Sequence, residues 1–272
     1  MKIFVLGAGK LGRALAKALK AAKQSVVLRG AREGLPKKID ADVVVLAVRD
    51  RDLLPVATRL RDAKLVPKKA VCVHVAGALG AEAIAPLRDV CAGVAQMHPM
   101  IAFASTDFGP SLRGGHVHVQ GDAAAVKRAE KIAKLLGMKA RTFKNLDTVG
   151  YHAAAGLVAN GAAALAALGA ELLVKAGVPR ETAPALLGPL LRSVAENVEA
   201  LGFPASLTGP VRRGDAAGVE KHLVVLREKL PTAVPLYIAS AEAQLPLARA
   251  IGDAPEYAFG AIEAFLRKPL VR

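Results

Sequence analysis

Tryptophan is absent from the 272 residues, aromatic residues make up 4%, and cysteine occurs only twice, at Cys72 and Cys91. Two cysteines inside apolar segments build no disulfide framework, so a reducing cytoplasm is the expected compartment. The scarcity of aromatics bears on the charge. The chain carries 38 Lys and Arg against 23 Asp and Glu, a net +15, enough to attract polyanions. Yet no basic run exceeds two residues, and neither a zinc-finger spacing nor a basic stripe interleaved with aromatics accompanies the charge. The charge therefore reads as solubility with a preference for small anions. Charge-driven nucleic-acid binding stays as a third reading, recognisable by steep salt dependence.

A signal-peptide core is also missing, since MKIFVLGAGKLG offers four apolar residues before its glycines, so no secretion is expected. No H-x-x-x-H pair or acidic cluster accompanies the histidines, and no metal is expected. One long uncharged run is present, Ala153 to Ala170. It approaches the length of a membrane span. Most of it is Ala and Gly, with Asn160 in the middle, and the expectation is a buried central helix without membrane contact.

The rest of the chain alternates. KIFVL at 2–6, residues 24–28, VVVLAV at 43–48, VCVHV at 71–75, GVAQM at 93–97 and HVHV at 116–119 read as strands, with a short strand near 140–143. Solid apolar runs of this kind belong to strands covered on both faces, in a mostly parallel sheet. Helices are expected at 10–22 and 122–136. After Asn145 the period becomes helical, as in Val219, Leu223, Leu226 and Leu230, so a domain boundary is placed there, with an interdomain cleft.

Gly7, Gly9 and Gly12 form G-x-G-x-x-G between the first strand and the first helix. Gly7 makes the turn, Gly9 admits a pyrophosphate close to the backbone, and Gly12 lets helix and strand pack, with helix amides facing the anion. The expected cofactor contacts are Gly7, Gly9, Lys10, Leu11, Gly12 and Val48. Where an NAD enzyme places an acid for the ribose hydroxyls, this chain has Arg29, followed by Arg32. A guanidinium cannot accept those bonds but matches a 2′-phosphate. NADP is thus preferred, against the alternative of a solvated pair at a strand end.

GAGKLG, ADVVVLAVRD (41–50), HVAGALGAEAIAPL (74–87), MHPMIAF (97–103), YHAAAGLVAN (151–160) and LTGPVRRGDAAGVEKHL (207–223) together resemble an incompletely characterised family that joins a Rossmann-like domain to a helical domain of unknown function. The resemblance implies an α/β Rossmann-like parallel sheet domain over 1–145, followed by an all-α C-terminal domain over 146–272. The architecture is similar to that of pyrroline-carboxylate reductase, ketopantoate reductase and prephenate dehydrogenase, whose nicotinamide lies between the domains. It also implies a homodimer through the helical domain. Two departures stand out: Ala76 replaces the family's serine before Gly77, and the lysine that hydroxy-acid dehydrogenases carry on the first interdomain helix is missing.

Candidates for chemistry follow from position. His152 opens the helix after the boundary, and histidine is the side chain suited to acid–base work near neutral pH; its plainer role is packing at the seam. Asn160, eight residues on, lies two helical turns away. His98, at the carboxyl end of a strand where open sheets bind ligands, is a candidate for a substrate carboxylate or a structural turn. His74 has a weaker form of the same argument. Thr208 and Arg213 lie in TGPVRRGD, where Asp215 reads as a helix N-cap. Arg213 is left for a substrate carboxylate, a subunit contact or solvent, and His222 for supporting the loop. The chain thus reads as an NADPH-dependent reductase of a small anionic keto acid or cyclic imine, or as a non-enzymatic NADP sensor or scaffold.

Overall fold

The computed structural model describes residues 1–267; residues 268–272, the end of the domain expected over 146–272, lie outside the described residues. The chain divides into two compact units, the first over Met1–Ala159 and the second beginning at Asn160.

The first unit is a seven-stranded sheet of β1 (Lys2–Leu6), β2 (Ser25–Arg29), β3 (Val43–Leu46), β4 (Val71–His74), β5 (Val94–Pro99), β6 (His116–Gly121) and β7 (Lys139–Arg141), in the order β2-β1-β3-β4-β5-β6-β7. Only β5 and β6 pair antiparallel. Alternation along each strand sorts side chains between two cores. Ile3, Val5, Val43 and Val45 face one side with Leu15 and Leu19 of α1 (Lys10–Ala21) and Ala129 and Ile132 of α3 (Ala123–Leu135). Phe4, Leu6, Val44, Leu46 and Cys72 face the other, with Leu53 and Leu60 of α2 (Asp50–Asp62) and Ile84 of the 3-10 segment Ala81–Asp89. Both faces are covered, which is why the strands are continuous apolar runs. Strand order reverses about β1, so the crevice where open sheets take ligands lies beyond the carboxyl ends of β1 and β3.

The second unit holds most of α4 (Thr148–Lys175), then α5 (Ala183–Leu201), α6 (Ala216–Lys229), α7 (Val234–Ile251) and α8 (Glu256–Leu266). Its core is the stripe Val219, Leu223, Leu226 of α6 against Ala241 and Leu245 of α7 and Phe259 and Ile262 of α8. The change of periodicity at Asn145 marks where helical sequence begins, while the first compact unit also takes in the opening turns of α4.

The long uncharged run is not a buried helix. No residue of α4 is buried, and Leu157 and Val158 are 79% and 70% exposed. Its neighbour α5 buries only Ala183, leaving Leu186, Leu190 and Val194 at least half exposed. Ala and Gly offer too little side chain to enclose a helix, so the cover must come from larger residues on neighbouring elements. By length and composition α4 could cross a membrane, with a mean hydropathy of 1.8 in its most apolar stretch.

Candidate functional site

The glycine turn joins β1 to α1 at the sheet reversal. Gly7 has φ +119, and a Cβ there would run into the Ala47 carbonyl that follows β3. A Cβ on Gly12 would strike the carbonyl of Gly7. Both glycines are thus demanded by the fold itself. Gly9 differs: its φ of −75 suits any residue, and a Cβ would meet no protein atom within 4 Å. The space beside Gly9 is open. No side chain caps α1 and no acid stands in its first turn, so the amides that a helix leaves unpaired at its start face that space. Lys10 and Leu11 open the helix, and Val48 sits half-buried just past β3. Arg13 was not singled out from the sequence; its Nε donates to the Ala8 carbonyl at 2.8 Å and clamps the turn. These residues fit a pyrophosphate-bearing dinucleotide.

Arg29 does not present a free fork. Its Nε donates to the Gly34 carbonyl at 2.8 Å and its Nη2 to the Glu33 carbonyl at 2.7 Å. The tight turn Ala31–Glu33 aims those carbonyls back at the strand end, and the arginine satisfies them. Arg32 is exposed and engages no partner among the described residues.

A second cluster stands at the carboxyl ends of β4 and β5. His98 lies directly opposite His118 across the β5–β6 ladder. Tyr151 and His152, on the first turns of α4, complete it: the His98 ring centroid is 6.1 Å from that of Tyr151 and 5.6 Å from that of His152, both edge to face. The ring of Phe143 stacks on His118 at 5.7 Å. Gly77 makes the convergence possible, because a Cβ there would collide with Nδ1 of His152 and stand 2.8 Å from Cε1 of His98. The Gly77 turn is pinned from below by Gln96, whose Nε2 donates to the carbonyls of Ala76 at 2.8 Å and Gly77 at 3.2 Å and whose Oε1 accepts from Gln120 at 2.7 Å. Thr148 Oγ1 donates to the Ala78 carbonyl at 3.1 Å, tying the start of α4 to the same loop. Gln96, His118 and Tyr151 escaped sequence reasoning. The available signal was Gln96 itself, an amide inside the apolar run GVAQM.

The electrostatics of the cluster are set by burial. His98 is held below the ordinary histidine pKa, chiefly by desolvation, with the Val75 carbonyl pulling the other way. Burial likewise lowers His74 and His118 and raises Tyr151. A carbonyl only accepts, so the 3.4 Å contact between Nδ1 of His98 and Val75 O assigns the proton to Nδ1. Nε2 is then an unprotonated acceptor, and it is buried without a partner. In that state His98 accepts a hydrogen bond, which suits a hydroxyl or a protonated imine and not the carboxylate expected from the sequence. His74 is committed to the chain, with Nε2 at 2.9 Å from Gly80 O and Nδ1 accepting from the Ala76 amide. His152 is exposed. Among the described residues no group of three or more His, Cys, Asp or Glu is arranged to hold a metal ion.

The other candidates lie in the second unit. Asn160, Thr208 and Arg213 are exposed. Asp215 caps α6 as expected, accepting from the Gly218 amide at 2.8 Å. Arg212 holds the loop together, donating to Asp253 at 2.6 Å and to the Leu207 carbonyl at 2.8 Å, while Arg213 has no partner among the described residues. His222 does not support this loop. It pairs with the Tyr237 hydroxyl at 3.0 Å, because α6 turns it toward α7, where both line an apolar cavity of about 370 Å³.

Residues 116–244 match the family described as a domain of unknown function, DUF2520. The DUF2520 segment runs from β6 into α7 and includes His118, Tyr151, His152, Thr208 and Arg213, while the glycine turn and His98 precede it. No curated protein matches the sequence. Solved structures share the fold. A Bacteroides fragilis protein named provisionally as an NADP oxidoreductase aligns with a TM-score of 0.71 at 20% identity, covering 90% of this chain and 98% of its own. Pyrroline carboxylate reductase of Plasmodium falciparum with NADP bound aligns with a TM-score of 0.60 at 16% identity over 93% and 98% of the two chains. An imine reductase of Myxococcus stipitatus in complex with NADP+ aligns at 0.58 and 16% over 98% and 100%.

Proposed function

We propose that this protein is an NADPH-dependent reductase of a small anionic keto acid or cyclic imine. The observation that carries the reading is the placement, on one edge of one sheet, of an uncapped helix start beside open space at Gly9 and of the His98–His152 pair. The NADP-bound reductases that share the fold support the same cofactor and reaction class. NADPH, when bound, would supply the hydride.

The chain's residues do the rest. The glycine turn and the first amides of α1 receive the pyrophosphate. Arg32, with its guanidinium free, meets the 2′-phosphate, and Arg29 holds the turn that presents it. His98 accepts a hydrogen bond at Nε2 from a protonated imine nitrogen or from the hydroxyl of the alcohol product and so orients it. His152, exposed beside it, is the proton donor to the oxygen or nitrogen bonded to the carbon that gains hydride. Arg213, exposed on the second unit and unpaired among the described residues, is available to an anionic substrate group, as are the Thr208 hydroxyl and the Asn160 amide.

The exposed apolar faces of α4 and α5 support a homodimer through the helical domain, and light scattering of the purified protein would test it. Partition into detergent micelles without a defined dimer mass would instead favour a membrane contact.

The second reading, an NADP sensor without turnover, is favoured by Ala76, which brings no hydroxyl to the turn beside His98. Following NADPH oxidation against a panel of keto acids and cyclic imines separates the two. Turnover of any member supports the reductase; tight NADPH binding with no turnover on the whole panel supports the sensor. Tighter binding of NADH than of NADPH would overturn the cofactor assignment.

A further inference from the structure

The only two cysteines of the chain meet in space. Cys72 is the second residue of β4 and fully buried. Cys91 lies in the turn before β5, half-buried against the same apolar core. Both converge on one carbonyl, that of Gly93: the Cys72 amide donates to it at 2.9 Å and the Cys91 Sγ approaches it at 3.3 Å. Cys91 packs against the core that contains Cys72, and each thiol shifts the titration of the other. Neither the proposed dinucleotide site nor the histidine cluster uses either of them. Packing alone does not ask for the pair, since Cys72 stands beside Val44 and Val94 in the sheet and in the same apolar core, where another small apolar residue fills the same space.

We propose that Cys91 and Cys72 form a reversible redox couple, in which Cys91 is the residue oxidised by a hydroperoxide and Cys72 resolves it to an internal disulfide. The Cys91 thiolate attacks the peroxide O–O bond, forming an S–O bond and releasing hydroxide or alkoxide, which leaves a sulfenic acid. The Cys72 sulfur then attacks the Cys91 sulfur, the S–S bond forms, the S–O bond breaks, and the Cys72 proton leaves with the hydroxyl as water. A dithiol reductant reverses the step by thiol–disulfide exchange.

The environment divides the roles. Cys91 is held down at about 7, first by the neighbouring Cys72 thiol and further by the backbone at Gly93 and Cys72, against the opposing effect of burial. Cys72 is pushed well above the ordinary thiol value by its partner and by burial. A low-pKa, partly exposed thiol beside a buried one is the arrangement of an attacking and a resolving cysteine.

The test treats the full-length protein with hydrogen peroxide, blocks free thiols with N-ethylmaleimide, and measures intact and peptide masses. The expected result is a Cys72–Cys91 disulfide that dithiothreitol removes. Cys72→Ala, checked for folding by thermal melting, should stop at a sulfenic acid on Cys91 that dimedone traps. The pH at which Cys91 is half-maximally reactive toward iodoacetamide should rise from about 7 in the wild type toward the ordinary value in Cys72→Ala. Oxidation of the wild type to sulfinic acid with no disulfide would overturn the proposal. So would a Cys91 reactivity profile in the wild type centred at the ordinary thiol value; both readings come from the wild type and stand if the variant fails to fold.

Discussion

The rings of His98 and His152 stand edge to face, 5.6 Å between centroids, over a Gly77 that has room for no side chain. Residues 98 and 152 belong to a strand and a helix separated by β6, α3 and β7. Their approach depends on a missing methyl group. Gly77→Ala should displace His152 and, by the usual cost of misplacing a catalytic group, lower kcat about a hundredfold with little change in the affinity for NADPH. Unchanged kcat in a folded Gly77→Ala protein would remove His152 from the chemistry.

The three glycines of the turn separate stability from binding. Gly9→Ala meets no protein atom and should cost about 1 kcal/mol or less, the scale of a poorer helix cap, while weakening NADPH binding at least about tenfold, worth about 1.4 kcal/mol. Gly12→Ala, whose Cβ strikes the Gly7 carbonyl, should lower the melting temperature as well. Calorimetry of both variants distinguishes the outcomes; an unweakened Gly9→Ala would mean that no phosphate approaches the turn.

Adjacent arginines in the 208–215 loop should part company. Arg212→Ala removes the contacts to Asp253 and to the Leu207 carbonyl and should destabilise the protein by about 1–3 kcal/mol. Arg213→Ala should leave the melting temperature unchanged and raise KM. Asp215→Ala should cost about 1 kcal/mol through the lost cap. If Arg213→Ala changed neither KM nor kcat, its substrate role would fall.

Acid should destabilise the sheet unit. Burial lowers the pKa of His74, His98 and His118, so below the ordinary histidine value of about 6.5 the unfolded chain binds protons that the native fold refuses. The stabilisation is complete above that value and is lost as pH falls through it toward the depressed native values. Urea midpoints should therefore fall between about pH 7.5 and about pH 5.5, and less steeply in His118→Gln. A midpoint independent of pH over that interval would contradict the burial of these rings.

The exposed apolar face should mediate assembly. Leu157→Glu on α4 or Leu190→Glu on α5, both on exposed positions, should convert a dimer to monomer in light scattering without unfolding the sheet unit. A wild type that is already monomeric would remove the dimer from the proposal.

The elements of the sheet unit were legible because each strand is buried on both faces, which writes itself into the sequence as VVVL or VCVH, and because the glycine turn has a spacing that geometry demands. The cap at Asp215 was legible for the same local reason. The hold of Arg29 on the turn was not legible because the partner of a long side chain depends on where the following turn aims its carbonyls. The helix over 153–170 was misread because hydrophobicity reports a preference for cover and says nothing of whether cover is at hand. His118 and Tyr151 were missed because their meeting depends on pairing across the sheet and on the entry of α4.

What the sequence determined alone is local: strand and helix periodicity, the turn at Gly7–Gly12, the stripe from Val219 to Leu230 and the cap at Asp215, since each depends on residues a few positions apart. The tertiary structure decided which histidines meet, which arginine is committed and which stays free, that Cys72 and Cys91 share the Gly93 carbonyl, and that α4 lies bare. These are matters of contact between distant segments, and only the folded chain sets those distances.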